Sequence, residues 1–328
     1  MSEWLGCICL DVSEANVVAM GQTMVCALTQ LQFTTVLSIM QSFYATLSAS
    51  TFTSADKSTL LGSTTLLFGR LLTNAQSLFT NASLSDADVR LMQAAAVQVA
   101  STMLLDETND TWIRMAANQP AEQHVESLLR SFDALMLLLG TQVNPSTAAN
   151  PCDYLSAPGY NMISAIYAYQ TSACGSPPPS FPSFSSDPLL SSLSAAWNAN
   201  PNVSADSAQL LWDPLANARS VGSAQVAVSF AIYDSIHKFM PNATSASVLS
   251  SANVSSLVVN SRVVSVSAFP PVPSQASTSS VVLLTLALKQ PSDGRQKMFC
   301  AFWNYNSQYA SLIQSSLHEN KSSYFESK

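Results

Sequence analysis

Residues 224–233 read Ala-Gln-Val-Ala-Val-Ser-Phe-Ala-Ile-Tyr. Val226, Val228, Phe230 and Ile232 alternate with small or polar partners. A β-strand imposes that period of two, because successive side chains point to opposite faces. Residues 13–140, by contrast, carry the 3–4 spacing of helices, and residues 224–304 carry strand spacing. Between them lies a stretch rich in Pro, Ser and Asn. The chain changes character once, helices first and strands second.

Upstream, the clearest helix runs from Ser85 to about Leu105. Val89, Met92, Ala96, Val99 and Met103 form one apolar stripe. Ser85 with Asp88 three residues on makes a capping box, and Leu84 and Val89 are placed for a hydrophobic staple across it. A second helix is predicted from about Ala121 to Leu139, with Val125, Leu128, Phe132, Leu135 and Leu139 on its face and Gly140 as a stop signal. Earlier helices are expected near 13–30, 33–48 and 57–79. None is followed by a strand, so the pattern is an antiparallel helical bundle rather than βαβ units.

Residues 141–222 are weakly patterned. Pro177-Pro178-Pro179 is a stiff extended segment, Ser180–Ser194 reads as a surface loop, and short elements are expected around Tyr160–Tyr169 and Ala208–Trp212. Downstream, Val263–Ala268 alternates again, Val281–Leu288 reads as a strand buried on both faces, Pro291-Ser292-Asp293-Gly294 is a turn, and Met298–Trp303 reads as the next strand. Strands at this spacing predict an antiparallel sandwich. The expected class is α+β: a helical subdomain over 1–148, a loop-rich connection or insertion over 149–222, a β-sandwich over 223–308 and a polar tail over 309–328.

Composition narrows the function classes. Apolar residues make up 48% and charged residues 10%, with a net charge of −7. An acidic chain offers no electrostatic footprint for nucleic acid. No apolar run approaches the roughly 18–20 residues that span a bilayer, and Met1–Asp11 does not read as a secretory signal. Asn81, Asn109, Asn202, Asn242, Asn253 and Asn320 stand in glycosylation sequons. Of the six cysteines, Cys152 and Cys174 flank a short loop-rich stretch and are the preferred disulfide pair; Cys7, Cys9 and Cys26 read equally well as buried thiols. There is no Gly-x-Ser-x-Gly elbow, no phosphate-binding glycine loop and no zinc-ligand spacing, so no cofactor, metal or small-molecule substrate is expected. A serine hydrolase is the remote enzyme alternative.

Several strings in order carry a resemblance. Leu104-Leu105-Asp106-Glu107-Thr108-Asn109-Asp110-Thr111-Trp112 resembles the helix-to-helix connection of the GAIN (GPCR autoproteolysis-inducing) domain of adhesion G-protein-coupled receptors. Phe230–Tyr233 with Ile236 and Phe239, then Val259–Ser265, then Val282–Lys289, are similar to successive strands of that domain. Cys300-Ala301-Phe302-Trp303-Asn304-Tyr305 resembles the start of its GPS motif, in a form close to that of latrophilin-type receptors. Taken singly, Phe302 and Trp303 read as sandwich-core aromatics, Trp112 as a helix-packing anchor and Tyr233 as a strand residue.

The resemblance implies an extracellular domain placed before a seven-helix membrane domain, regulatory in signalling, with an extracellular protein as a candidate ligand. It implies self-cleavage at a His-Leu-Thr or His-Leu-Ser site, where histidine acts as base on the hydroxyl nucleophile. His124, His237 and His318 do not stand in that motif, and no second tryptophan or further cysteines follow Ser307. The expectations are therefore no self-cleavage, a sandwich incomplete at its C-terminus within the GPS motif, and a Cys300 without its usual partner. A lost bridge of that kind costs about 2–5 kcal/mol. The alternatives are the ectodomain of a polycystin-like membrane protein and a secreted adhesion module.

Overall fold

The computed structural model describes residues 57–66, 69, 84–118, 124–143, 152–171, 181, 207–210, 214–234, 236, 262–271, 282–285, 300–304, 309–313 and 324–326. Residues 57–66 are helical; the helices expected near 13–30 and 33–48 lie outside the described residues. The elements that follow are α1 (Asp86–Met103), a 3-10 turn (Asp106–Thr108), α2 (Asn109–Asn118), α3 (Val125–Gln142), β1 (Cys152–Pro158), β2 (Met162–Gln170), β3 (Ser207–Leu210), α4 (Pro214–Ser220), β4 (Gln225–Tyr233), β5 (Val263–Phe269), β6 (Val282–Thr285), β7 (Cys300–Asn304), β8 (Tyr309–Ile313) and β9 (Tyr324–Glu326).

The start of α1 follows the sequence closely. Ser85 is its N-cap, and both halves of the capping box form: Asp88 N–H donates to Ser85 Oγ at 3.2 Å, and Ser85 N–H donates to Asp88 Oδ2 at 3.1 Å. These bonds satisfy backbone donors that the first helical turn otherwise leaves orphaned. The Ser85 hydroxyl also donates to Asp88 Oδ2 at 2.6 Å, and this bond, followed by that from Ser85 N–H, favours the ionised carboxylate and lowers the Asp88 pKa. All five stripe residues of α1 are buried, as are all five of α3.

Gly140 is not a stop. α3 continues through it to Gln142. A Cβ at this position would stand 2.9 Å from both Ala227 Cβ and Ile166 Cγ2, closer than side-chain carbons pack. The glycine is there because the helix end lies against β2 and β4, and that is a tertiary reason rather than a capping one.

Four strands form an antiparallel sheet in the order β1-β2-β4-β5. Its register brings one row of small side chains across all four strands: Ala157, Ser164, Ala231 and Ser265. α1 lies on the β1 and β2 side of this face, and α3 on β2, β4 and β5. The helices supply the bulk the strands lack: Met92, Leu128, Phe132, Leu135 and Leu139 share one core with Leu155, Ile166 and Tyr233. Burying each side chain of this kind stabilises by about 1.5–3 kcal/mol.

The opposite face is built from large residues. Tyr167, Tyr169, Val226, Val228, Phe230 and Ile232 form a second core with Phe181, Leu210 of β3 and Leu215 of α4. β2 and β4 are thus buried on both faces. The alternation in 224–233 separates two packed layers, not core from solvent. The small partners Ala227, Ser229 and Ala231 face the helices.

The other strands form two smaller sheets, β3-β6-β9 and the β7-β8 hairpin. Helices with antiparallel sheets make an α+β fold. Residues 149–222, expected as connection or insertion, contribute β1, β2, β3 and α4, and β2 is an inner strand of the main sheet. Residues 309–328, expected as a polar tail, contain β8 and β9.

Candidate functional site

Three places bear on function: the hairpin that carries the GPS-like string, the corner around Trp112, and a carboxylate between α3 and the sheet.

Cys300-Ala301-Phe302-Trp303-Asn304 is β7, and it pairs antiparallel with β8 in the register Cys300↔Ile313, Phe302↔Ser311 and Asn304↔Tyr309. The whole string is therefore extended and hydrogen-bonded on one edge by the residues that follow it. Residues 305–308, between the two strands, lie outside the described residues.

At the corner, the last carbonyls of α1 have lost their helical partners. Trp112, 2% exposed on α2, donates its indole N–H to Met103 O at 2.8 Å. Thr108 Oγ1 lies 2.7 Å from both Met103 O and Leu105 O and shares its one proton between them. Asn161, in the β1–β2 turn, donates Nδ2–H to Leu104 O. Ser101 of α1 holds that turn from the other side, donating to Asn161 Oδ1 at 3.0 Å and accepting from the backbone N–H groups of Tyr160 and Asn161. Gly159 is required where the turn meets α1: its Cβ would sit 2.8 Å from Ser101 Cβ. The Leu104–Trp112 string thus closes a helix end and locks a strand turn onto it.

Asp133 is the polar centre of the helix–sheet contact. It is 8% exposed and accepts from Tyr233 Oη at 3.0 Å and from Ser265 Oγ. One side chain of α3 thereby holds two neighbouring strands, β4 and β5. Phe132 packs edge-on against the Tyr233 ring, with centroids 6.5 Å apart. Nearby, Gln93 of α1 donates to the carbonyls of Leu155 and Ser164. Sequence reasoning missed Asp133, Ser101, Asn161 and Ser265. A signal existed for Asp133: it stands four residues after Leu129 and three before Met136, both buried, so a charge falls on the buried stripe of a helix.

The remaining site residues are distributed as follows. Cys152 opens β1; Cys174 lies outside the described residues, as do Cys7, Cys9 and Cys26. Asn109 is the first residue of α2. Asn81, Asn202, Asn242, Asn253 and Asn320 lie outside the described residues. His124 is the N-cap of α3, and His237 and His318 are outside. Among the described residues no group of three or more His, Cys, Asp or Glu side chains could hold a metal, and no helix is long and apolar enough to cross a membrane. On the aromatic face, burial pushes the Tyr169 hydroxyl far above its ordinary pKa, because the charged form would be desolvated.

No curated protein matches the chain. Residues 178–311 match the family described as GPS: GAIN subdomain B, a module characteristic of adhesion G-protein-coupled receptor ectodomains, and the matched span runs from just before Phe181 through β7 into β8.

Proposed function

We propose that this chain is the extracellular juxtamembrane domain of an adhesion-type G-protein-coupled receptor, latrophilin-like in form, structural and regulatory in signalling. The observation that carries the reading is the match of residues 178–311 to GAIN subdomain B, with the Cys300–Asn304 strand near its C-terminal end. In this reading the helices are the counterpart of the helical subdomain. The sandwich begins at β1 rather than at 223, since β2 pairs with β4 along its length. The partners are a seven-helix membrane domain downstream in a full-length form and an extracellular protein ligand. The place of action is the outer side of the plasma membrane.

This chain does not cleave itself. The chemistry needs a histidine base with a hydroxyl nucleophile two residues on, and His124, His237 and His318 are followed two residues on by Glu126, Phe239 and Asn320. The GPS-like strand then has a scaffolding role.

Two measurements test the reading. Transcripts are sequenced past the codon for Ser307, and intact cells expressing the gene are probed with an antibody to this chain. Surface staining together with seven downstream apolar spans supports it. Staining only after permeabilisation overturns it. A channel-like set of spans favours the polycystin-like alternative, and release into the medium without a membrane-bound form favours a secreted adhesion module. For cleavage, the purified chain should stay one species on denaturing electrophoresis; two fragments summing to the whole would refute the inactive site.

A further inference from the structure

We infer that Asn109 carries an N-linked glycan, added before the α1–α2 corner folds. The inference rests on the extracellular reading, since the modifying machinery faces the secretory lumen. Asn109-Asp110-Thr111 is a sequon, and Asn109 is placed at the first position of α2, directly after the 3-10 turn. Asn109 is half-buried, and its Oδ1 is buried without a hydrogen-bond partner, so no hydrogen bond through Oδ1 holds the amide in the folded corner. Nδ2 is the atom a glycan joins. In that reaction it attacks the anomeric carbon of a lipid-diphosphate-linked oligosaccharide. The N–C bond forms, the C–O bond to the diphosphate breaks, and the amide proton is lost to a base.

Two neighbours sharpen the picture. Ile113 stands one turn on, on the same face of α2, and is 56% exposed. An apolar side chain in that position is a platform for the first sugar ring. Thr111, whose hydroxyl the transferase must reach, is 3% exposed. The folded corner hides half of the sequon, so modification precedes docking of Trp112 on Met103.

The test directs the full chain into the secretory pathway with a fused export signal and maps the secreted product by peptide mass. Cleavage after Arg90 and Arg114 releases residues 91–114, whose one sequon is Asn109. The expected result is that this peptide carries a glycan and, after amidase treatment, aspartate at 109, with the signal lost in Asn109→Gln. A secreted chain whose 91–114 peptide is unmodified, whatever the other sequons carry, overturns the inference and leaves the extracellular reading standing. A chain retained in the cell with no modified sequon overturns both. The order of events is read separately. Purified transferase should glycosylate the isolated 91–114 peptide and not the folded, unglycosylated chain; equal rates would overturn the ordering.

Discussion

On the face of β2 and β4 that meets the helices, the register places Ala157, Ser164, Ala231 and Ser265 in one row. On the opposite face the corresponding rows hold Tyr154, Tyr167 and Val228, and Ala165, Phe230 and Val266. Both faces of these two strands are buried, yet one carries a row of small residues under large helical side chains and the other aromatic rings packed tilted and edge-on against each other. Tyr167 lies 4.7 Å from Tyr154 and 5.7 Å from Phe230, ring centre to ring centre, and Phe181 lies 5.3 Å from Phe230. The difference teaches where the two faces are vulnerable. A close-packed interior tolerates neither voids nor insertions. The aromatic face should therefore fail when side chains are cut, and the helix face when they are added or its polar node is removed.

The largest effect is expected from Phe230→Ala, which opens a cavity where three rings meet and should cost about 3–5 kcal/mol in denaturant unfolding. A cost below that of Ala231→Ser, one residue away on the other face, would break the comparison. Next comes Asp133→Asn. Losing the charge on a doubly hydrogen-bonded acceptor should cost about 1.5–3 kcal/mol. Combined with Tyr233→Phe, the loss should be clearly less than additive, because both changes remove the same contact; simple additivity would mean that the node does not hold α3 to β4.

Gly140→Ala should destabilise by about 1–3 kcal/mol through overpacking against Ala227 and Ile166, offset by about 1 kcal/mol of gained helix propensity. If the variant is instead more stable than the parent, α3 does not approach the strands as closely as described. The smallest effect lies outside both faces. Ser85→Ala should cost about 1 kcal/mol as a lost N-cap. The folded-state pKa of Asp88 is depressed from its ordinary 3.8, so its contribution is fully present above that value and is lost as pH falls through the folded value. The gap between parent and variant should therefore be widest above pH 3.8 and narrow as pH falls through the folded value, leaving the share of the bond from Asp88 N–H to Ser85 Oγ; a constant gap at all pH would remove the Asp88 carboxylate from the cap.

How much was legible beforehand follows the same division. The capping box and both apolar stripes were read correctly because they depend on residues three and four apart, a local geometry. Strands β4 and β5 were read from their alternation. Gly140 was misread, because a glycine at a helix end looks the same whether it caps the helix or lets a strand pass. The hairpin β1–β2 was seen only as a short element near Tyr160–Tyr169, since a strand buried on both faces has little polar alternation to show. The seam residues Asp133, Ser265, Ser101 and Asn161 are separated in sequence by 132 and 60 positions within their pairs, and no periodicity connects such residues.

By itself the amino-acid sequence determined where helices begin, that helical spacing gives way to strand spacing, and that residues 300–305 carry a GPS-like string. Each of these rests on local rules of backbone geometry. Only the tertiary structure decided that the helices lie on the sheet, that the small partners in 224–233 face them, and that one carboxylate ties a helix to two strands. Those outcomes depend on which distant surfaces fit, and fit is set by side-chain volume and hydrogen-bond geometry across the assembled layers.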